Sequence, residues 1–160
     1  MLKLIPVDGH NVWDILKLSV REDQKEFVAP NDISLIEAYI AITHNAYAFP
    51  FGIYDGETLT GFLMVGFGVD DSWDDAPAVA QDNYSLWRLM IDKRHQGRGY
   101  GRAAMRLALD FIKTLPCGPA RCCWLSYEPT NTVAKSLYQS FGFVETGEMD
   151  GDEVIAVLEL

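Results

Sequence analysis

The stretch that decides the fold of this chain is Arg94-His95-Gln96-Gly97-Arg98-Gly99-Tyr100-Gly101-Arg102. Its three glycines stand at alternate positions, where they let the backbone take positive φ angles and approach a ligand closely. An apolar strand pattern precedes the stretch and a helical pattern follows it. Backbone N–H groups exposed at such a helix start bind anions, and Arg98 and Arg102 can add charge-assisted hydrogen bonds. The stretch therefore predicts a turn that holds a diphosphate.

Two other phosphate-binding motifs do not match this stretch. The dinucleotide fingerprint requires G-x-G-x-x-G, whereas the sequence here is G-R-G-Y-G-R. The turn also follows the fourth predicted strand, and the fingerprint belongs to the first βα turn. A Walker A loop ends in Gly-Lys-Ser or Gly-Lys-Thr, which this stretch lacks. The remaining alternative, a flexible turn with incidental arginines, leaves the order of strand, turn and helix unexplained.

Apolar periodicity on both sides of the turn predicts a layered fold. Strands are predicted over 3–7, 49–54, 58–67, 84–91, 121–127, 143–149 and 153–160. Helices are predicted over 12–18, from Asn31 or Asp32 to 42, from Gly99 or Tyr100 to 112, and over 131–141. Asn11, and Asn31 or Asp32, are the expected N-caps of the first two helices. This order is typical of an α/β or α+β fold with a central mixed sheet.

The charge of the chain is negative and unevenly distributed. The formal net charge is −10, which argues against nucleic acid because its binding requires a basic surface. Residues 88–113 nevertheless hold seven of the 13 bases, while residues 55–82 hold seven acids and no base. We interpret the basic segment as the place of an anionic small molecule. The acidic segment can attract a cationic partner, or can simply keep the protein soluble.

Length and composition predict one domain over residues 1–160, located in the cytoplasm. No stretch approaches the roughly 18 apolar residues of a membrane helix, and the N-terminus lacks the pattern of a secretory signal. The cysteines are an odd number at no metal-binding spacing, which favours reduced thiols. We therefore expect neither membrane association nor a metal site.

Two motifs together resemble those of the GNAT superfamily of N-acetyltransferases. Residues 96–101 resemble its Q/R-x-x-G-x-G/A signature. Residues 131–138, N-T-V-A-K-S-L-Y, followed by F-G-F at 141–143, resemble its N-x-x-A-x-x-x-Y helix. The resemblance covers nearly the whole chain and implies a mostly antiparallel sheet of about seven strands flanked by four helices. Within the superfamily the sequence is most similar to bacterial spermine/spermidine (diamine) acetyltransferases, through residues 23–24, 27–31 and 84–92.

The resemblance implies acetyl-CoA as cosubstrate and assigns residues to it. The strand segment 89–91 would bulge and splay from strand 122–127, which frees main-chain groups for the pantetheine arm and the acetyl carbonyl. The amides of residues 96–102 would hold the diphosphate, Asn131 would bind the pantetheine and Lys135 would reach the nucleotide phosphate. The predicted coenzyme-binding set is Leu89, Met90, Ile91, Gln96, Gly97, Arg98, Gly99, Tyr100, Gly101, Arg102, Asn131 and Lys135.

Tyr138 is the predicted general acid, which protonates the departing CoA thiolate. It lies two helical turns after Asn131, so both face the same side, although the pattern also fits a core aromatic. The resemblance implies that the amine loses its proton to a base, which in some relatives is a carboxylate on the fourth strand that acts through water. The matching position here is Trp87 or Arg88, and neither accepts a proton at neutral pH. Glu128, at the mouth of the predicted splay, is the candidate base. Proton loss to acids of the 68–82 loop or to bulk water is the alternative.

The predicted acceptor is a primary amine, preferably a polyamine such as spermidine or spermine. The hypothesis depends on the acidic segment 55–82, on the acids of the predicted loop 19–30 and on the resemblance. Glu26, Asp71, Trp73 and Asp74 are the candidate acceptor-binding residues, because an aromatic ring beside carboxylates suits an alkyl ammonium. The alternatives are another small-molecule or protein amine, and a non-catalytic acyl-CoA-binding module. The resemblance also implies a homodimer.

Overall fold

A seven-stranded sheet is the centre of the computed structural model, which describes all 160 residues. The strands are β1 (Leu2–Pro6), β2 (Tyr47–Asp55), β3 (Thr58–Phe67), β4 (Tyr84–Ile91), β5 (Cys122–Tyr127), β6 (Val144–Asp150) and β7 (Glu153–Glu159). The helices are α1 (Val12–Ile15), α2 (Asn31–Thr43), α3 (Tyr100–Lys113) and α4 (Thr132–Ser140), with short 3-10 turns at Glu22–Gln24 and Ala78–Ala80. The predicted order of elements and the predicted fold class are confirmed.

The strands lie in the order β1-β2-β3-β4-β5-β7-β6. Every neighbouring pair is antiparallel except β4 and β5, which are parallel. A parallel pair requires a crossover, and α3 supplies it between these two strands. The last strand in the sequence, β7, is inserted between β5 and β6, and it pairs with β5 along its whole length.

Helices cover both faces of the sheet, and the alternation of side chains along β3 distributes its residues between them. Leu63 and Val65 pack with α3 and α4 on one side, named here the α3 face. Phe62 and Met64 pack with α1 and α2 on the opposite side, named the α2 face. Because both faces are covered, β3 is apolar almost throughout. None of the helices is both long enough and apolar enough to cross a membrane.

The predicted side-chain caps of α1 and α2 are wrong. Asn11 precedes α1, but its Oδ1 accepts from the Asp8 N–H at 2.9 Å and caps no helical amide. Asn31 is the first residue of α2, and its buried Nδ2 donates to the Ile15 carbonyl at 2.9 Å. Both side chains are therefore used to tie neighbouring segments together, which a local capping rule does not anticipate.

β4 and β5 splay apart after only two paired positions. Tyr84 pairs with Cys123 and Ser85 with Trp124, and no pairing continues beyond them. The register between β3 and β4 shifts at Trp87, which has no partner on β3, so the bulge of β4 lies there. The predicted splay is confirmed, whereas its bulge was expected at 89–91. A bulge increases the local twist of its strand, which turns the end of β4 away from β5.

Candidate active site

An open cleft of about 1170 Å³ occupies the gap between β4 and β5. Its walls include the end of β4, the turn that leads into α3, one side of α4 and the first residue of β7. Residues of α2 and of the loops 20–30 and 66–73 also line it. Because α2 and α4 lie on opposite faces of the sheet, the cleft opens on both faces.

The glycine turn forms an anion cradle at one end of the cleft. Gly97 and Gly99 both have φ near +78°, and an added Cβ at either would contact nothing within 4 Å. Gly99 is the N-cap of α3, where no side chain caps the helix and no acid lies in the first turn. The first amides of a helix have no partner within it, so those of residues 100–102 are available to a ligand. This open, uncapped cradle fits a diphosphate.

Most of the predicted diphosphate residues line the cleft, but the two arginines do not. Gln96, Gly97, Gly99, Tyr100 and Gly101 form part of its wall. Arg98 and Arg102 are exposed and outside the wall. The Arg102 guanidinium instead lies 5.5 Å from the centre of the Phe141 ring. The main chain therefore provides the donors of the cradle.

Gln96 connects the cradle to two other walls of the cleft. Its Nε2 donates to the Ile91 carbonyl at 3.0 Å and to Gln24 Oε1 at 2.9 Å. Its Oε1 accepts from Arg21 at 2.6 Å and from Gln24 Nε2 at 3.2 Å. The motif glutamine thus fixes the 20–30 loop against β4. Sequence reasoning assigned Gln96 to the coenzyme and missed this positioning role.

The end of β4 directs main-chain groups into the cleft. The Asp92 N–H donates to the Thr60 carbonyl of β3 at 2.8 Å. The main-chain groups of successive residues in a strand point to opposite sides. Since those of Asp92 face β3, those of Ile91 and of Leu89, two residues earlier, face away from β3 and toward the gap. The Ile91 carbonyl is already occupied by Gln96. Leu89, Met90 and Ile91 all line the cleft, where the sequence placed them.

Helix α4 brings one of its two predicted coenzyme residues to the cleft. Asn131 is the N-cap of α4, and its Oδ1 accepts from the Ala134 N–H at 3.3 Å. It also lines the cleft. Lys135 lies outside the wall and forms an ion pair with Glu145 at 3.3 Å.

Tyr138 lines the cleft from the α3 face, packed between two other aromatic rings. Its ring centre is 5.7 Å from that of Tyr127 and 6.2 Å from that of Phe143. Burial, with a smaller contribution from the charge of Glu153, raises the pKa of Tyr138 to about 12. The hydroxyl therefore stays protonated at neutral pH, as a proton donor must.

The carboxylate that lines the cleft beside β5 is Glu153, which sequence reasoning missed. Its Oε1 accepts from Ser126 Oγ at 2.8 Å. Burial raises the pKa of Glu153 and outweighs the lowering effect of the Ser126 hydrogen bond, and the charges of Glu128 and Asp150 add to the rise. The predicted base, Glu128, follows β5 and is not part of the cleft wall. No local signal marks Glu153, because only the insertion of β7 beside β5 brings it there.

The acceptor residues predicted from the sequence are only partly brought together. Glu26 and Trp73 line the cleft, and Trp73 stacks on Trp124 with ring centres 6.4 Å apart. Asp71 and Asp74 are exposed and lie outside the wall. Asp71 instead accepts from Asn45 Nδ2 at 2.5 Å. Its neighbour Asp70 is the acid of this loop that lines the cleft.

Asp92 anchors the entry to the glycine turn. Its carboxylate, only 2% exposed, accepts from the Ser19 N–H at 2.9 Å, the Arg94 N–H at 3.1 Å and Arg94 Nε at 2.7 Å. Burial disfavours its charge, but these hydrogen bonds and the Arg94 guanidinium outweigh burial and hold the pKa of Asp92 below its usual range. Asp92 therefore positions the cradle while remaining ionised.

We expect Asp92→Asn to lower the free energy of unfolding by about 2 to 3 kcal/mol at neutral pH, because it leaves buried donors poorly paired. A carboxylate with a lowered native pKa stabilises above its unfolded pKa of about 4, and that stabilisation is lost as the pH falls below it. The deficit should therefore shrink on acidification. Urea unfolding at pH 7 and at pH 3.5 measures it.

Asp110→Asn is the matched control for this prediction. Asp110 is exposed on α3, so its loss should change stability by less than about 0.5 kcal/mol. Equal stabilities of the two variants at pH 7 would show that Asp92 does not hold the turn.

The chain contains no group of three or more His, Cys, Asp and Glu side chains arranged to hold a metal ion. The site is thus built from main-chain donors, aromatic rings and carboxylates. A cradle for a diphosphate, joined to a gap in a sheet, fits a long ligand whose phosphates lie at the cradle and whose other end lies in the gap.

Comparison with known proteins identifies the family. Residues 12–143 match the model of the Acetyltransferase (GNAT) family. The chain is 30% identical to the spermine/spermidine N(1)-acetyltransferase of Bacillus subtilis strain 168, over 96% of this chain and 95% of that protein. The chain therefore belongs to the GNAT family of acetyltransferases. It is an N-acetyltransferase whose acetyl donor is acetyl-CoA, as the sequence predicted.

Solved structures share the same fold. A spermidine N-acetyltransferase from Vibrio cholerae, in complex with CoA and spermine, aligns with a TM-score of 0.67 and 20% identity, over 99% of this chain and 94% of that one. The aminoglycoside acetyltransferase AAC(6')-Ib, in complex with coenzyme A and kanamycin, aligns with a TM-score of 0.75 and 15% identity, over 99% and 95%. At these identities the likeness concerns the fold.

Proposed function

We propose that this enzyme acetylates a primary amine of a polyamine such as spermidine or spermine, by direct attack of the amine on acetyl-CoA in a ternary complex. The observation that carries the proposal is the charge balance of the cleft. All three of its Lys and Arg side chains are in ion pairs: Arg21 with Asp23, Lys25 with Glu22, and Arg88 with Glu37. The cleft acids outside any ion pair are Glu26, Asp70, Asp150 and Glu153. Unpaired carboxylates favour a ligand with several positive charges.

The walls between these carboxylates are apolar and aromatic. Phe27, Tyr47, Trp73 and Trp87 all line the cleft. Aromatic faces attract ammonium groups, and they also pack against the methylene chains that separate them. A polyamine alternates these two features along its length. The charge balance and the aromatic walls therefore favour the same class of acceptor.

Tyr138 has the properties of the acid that the reaction requires. Acetyl-CoA supplies a thioester, whose sulfur must gain a proton when the C–S bond breaks. Tyr138 lines the cleft on the α3 face, the face of the anion cradle, and is protonated at neutral pH. The Leu89 and Ile91 main-chain groups would orient the acyl group in the gap. No covalent enzyme intermediate is needed.

The names of related proteins support the same acceptor. The Bacillus subtilis relative is named for spermine and spermidine, and the Vibrio cholerae structure contains spermine. Kanamycin, in the complex of the aminoglycoside enzyme, is also an amine. A cationic small amine is the chemistry that these acceptors share, so an acceptor panel must separate them.

The panel measures release of the CoA thiol by the purified protein with spermidine, spermine, lysine, kanamycin and a peptide amine as acceptors. We expect kcat/KM for the polyamines to exceed that for lysine at least about tenfold, since multiple charges add to binding. We expect a similar excess over kanamycin, since its sugar rings do not offer the methylene chains that pack on the aromatic walls. Clear turnover of lysine, kanamycin or the peptide, beside none of the polyamines, would overturn the acceptor. Tight CoA binding without turnover of any amine would indicate a non-catalytic module.

The Asp70→Asn variant tests the charge argument within the same panel. An unpaired carboxylate in a partly solvated cleft contributes about 1 kcal/mol to binding a cation, which corresponds to a KM for spermidine raised about fivefold. The KM for acetyl-CoA should not change. Asp74→Asn is the matched control, because it removes the same charge from the same loop outside the cleft. Equal effects of the two variants would contradict a local role for Asp70.

A further inference from the structure

The proposed reaction needs a group that accepts a proton from the amine, and no residue has yet been assigned to that role. Attack by an amine requires that the nitrogen lose a proton, and the acid Tyr138 cannot accept it. We propose that Glu153 accepts this proton, held beside the gap by the Ser126 hydroxyl. This inference rests on the acetyl transfer to an amine proposed above. It adds the proton acceptor on which that reaction depends.

The alternation of β5 and β7 places Glu153 on the opposite face of the sheet from Tyr138. Tyr127 and Val154 belong to the core of the α3 face, where Tyr138 also packs. Ser126 is paired with Ile155 in the register of β5 and β7. Side chains of successive residues point to opposite faces, so Ser126, Ile155 and Glu153 share the α2 face. The base and the acid thus lie on opposite sides of the gap.

This arrangement matches a direct transfer across the sheet. The anion cradle starts α3, and Tyr138 lies on the same face, so the sulfur leaves on that side. The loop acid Asp70 and the aromatic Trp73 line the cleft near Trp124, which is on the α2 face, so the amine arrives from the other side. A proton acceptor is needed where the amine arrives. Glu153 is the hydrogen-bonded carboxylate at that side of the gap.

The protons and bonds balance in this scheme. The nitrogen lone pair forms the N–C bond, and the C–S bond breaks. The ammonium nitrogen gives one proton to the Glu153 carboxylate, which frees its lone pair for attack, and a second to solvent as the amide forms. One proton passes from the Tyr138 hydroxyl to the sulfur. Exchange with solvent then returns both side chains to their starting forms. The products are the acetylated amine and CoA.

Glu153 is in no ion pair. Its surroundings are Ser126 on β5, Glu128 beyond β5, Arg88 on β4, Asp150 on β6 and Tyr138 on α4. Arg88 is the nearby cation, but its guanidinium is bound to both oxygens of Glu37 at 3.1 and 2.9 Å. Burial has the largest effect and raises the pKa of Glu153. The charges of Glu128 and Asp150 also raise it, while the Ser126 hydrogen bond and the charge of Arg88 lower it by less. The carboxylate therefore has a higher proton affinity than an exposed glutamate.

The test compares Glu153→Gln with wild type on whichever amine the wild type acetylates. We expect kcat to fall roughly tenfold to 100-fold, at the low end for a general base because bulk water can still take the proton. In Glu153→Gln, the fall of kcat on the acid side of the pH profile should disappear. Glu153→Asp, which keeps a carboxylate, should restore part of the lost kcat. The Kd of acetyl-CoA should not change. Asp152→Asn, which removes an exposed neighbouring charge, should behave as wild type.

A second readout does not depend on turnover. Carboxyl carbon NMR of the free protein should show one glutamate that titrates above the usual range, and its signal should be missing in Glu153→Gln. Wild-type kcat and an unchanged acid limb in Glu153→Gln would overturn the inference, as would a raised KM alone or a loss of the limb in Glu128→Gln instead. A wild type without turnover of any amine would instead remove the proposed function itself, together with this inference.

Discussion

Replacing Gly99 by valine is expected to raise the Kd of acetyl-CoA about 100-fold or more. Gly99 has φ +78°, a conformation that a β-branched residue adopts only under strain. The space in front of its missing side chain is empty of protein, so the added methyl groups would occupy the place of the diphosphate. The loss of two charge-assisted hydrogen bonds costs about 3 kcal/mol, which accounts for the expected factor. Isothermal titration calorimetry with acetyl-CoA measures it.

Gly147→Val separates the loss of the cradle from backbone strain. Gly147 has φ +85°, faces open space and lies in β6, outside the cleft. Its replacement carries a similar conformational cost but should leave the Kd within about twofold. Calorimetry that shows the same acetyl-CoA affinity for Gly99→Val and wild type would remove the basis of the coenzyme site.

Tyr138→Phe is expected to lower kcat about 100-fold to 1000-fold, the usual effect of removing a general acid, with acetyl-CoA affinity retained. The ring still packs against Tyr127 and Phe143, so the fold should not change. Because the pKa of Tyr138 is raised to about 12, its ionisation should not lower kcat between pH 7 and 10 in the wild type. Steady-state kinetics across that range measures both effects.

Tyr84→Phe is the control for removal of a tyrosine hydroxyl. The Tyr84 hydroxyl donates to the Gly118 carbonyl and accepts from the Cys117 N–H, both at 2.8 Å, away from the cleft. Its loss should lower Tm while leaving kcat within about twofold, since it touches no reacting atom. If Tyr138→Phe were as fast as wild type, the CoA thiolate would take its proton from solvent, and Tyr138 would not be the general acid.

The two faces of the cleft explain why the strongest effects are expected at Gly99 and Tyr138. Both residues are proposed to act on the coenzyme, which every turnover requires. Changes at Asp70 act on a single charge of the acceptor and are partly replaced by the remaining carboxylates. The proposed base Glu153 is intermediate, because water can substitute for a proton acceptor but not for a binding cradle.

Several expectations from the sequence remain predictions. These are the single domain over residues 1–160, the homodimer, the cytoplasmic location and the roles of the individual site residues. The family, the fold class and acetyl-CoA are confirmed. The polyamine acceptor has support from charge and from related proteins, and the panel described above decides it.

The sequence by itself determined the parts of this protein that depend on short spacings. Strands β3 and β4 have the predicted bounds, because alternation and turn residues are local properties. The glycine turn and the Asn131–Tyr138 side of α4 were also recognisable, since each motif lies within about two helical turns.

Only the tertiary structure decided which carboxylates line the cleft. Glu153 and Ser126 are 27 residues apart in the sequence. They meet because β7 is inserted beside β5 and does not lie at the outer edge of the sheet. Asp70 lines the cleft, whereas its neighbour Asp71 binds Asn45. The path of the loop that carries them determines which of the two faces the cleft. The bulge at Trp87 depends on register with β3. Strand order and register result from the packing of the whole sheet, so local spacing does not encode them.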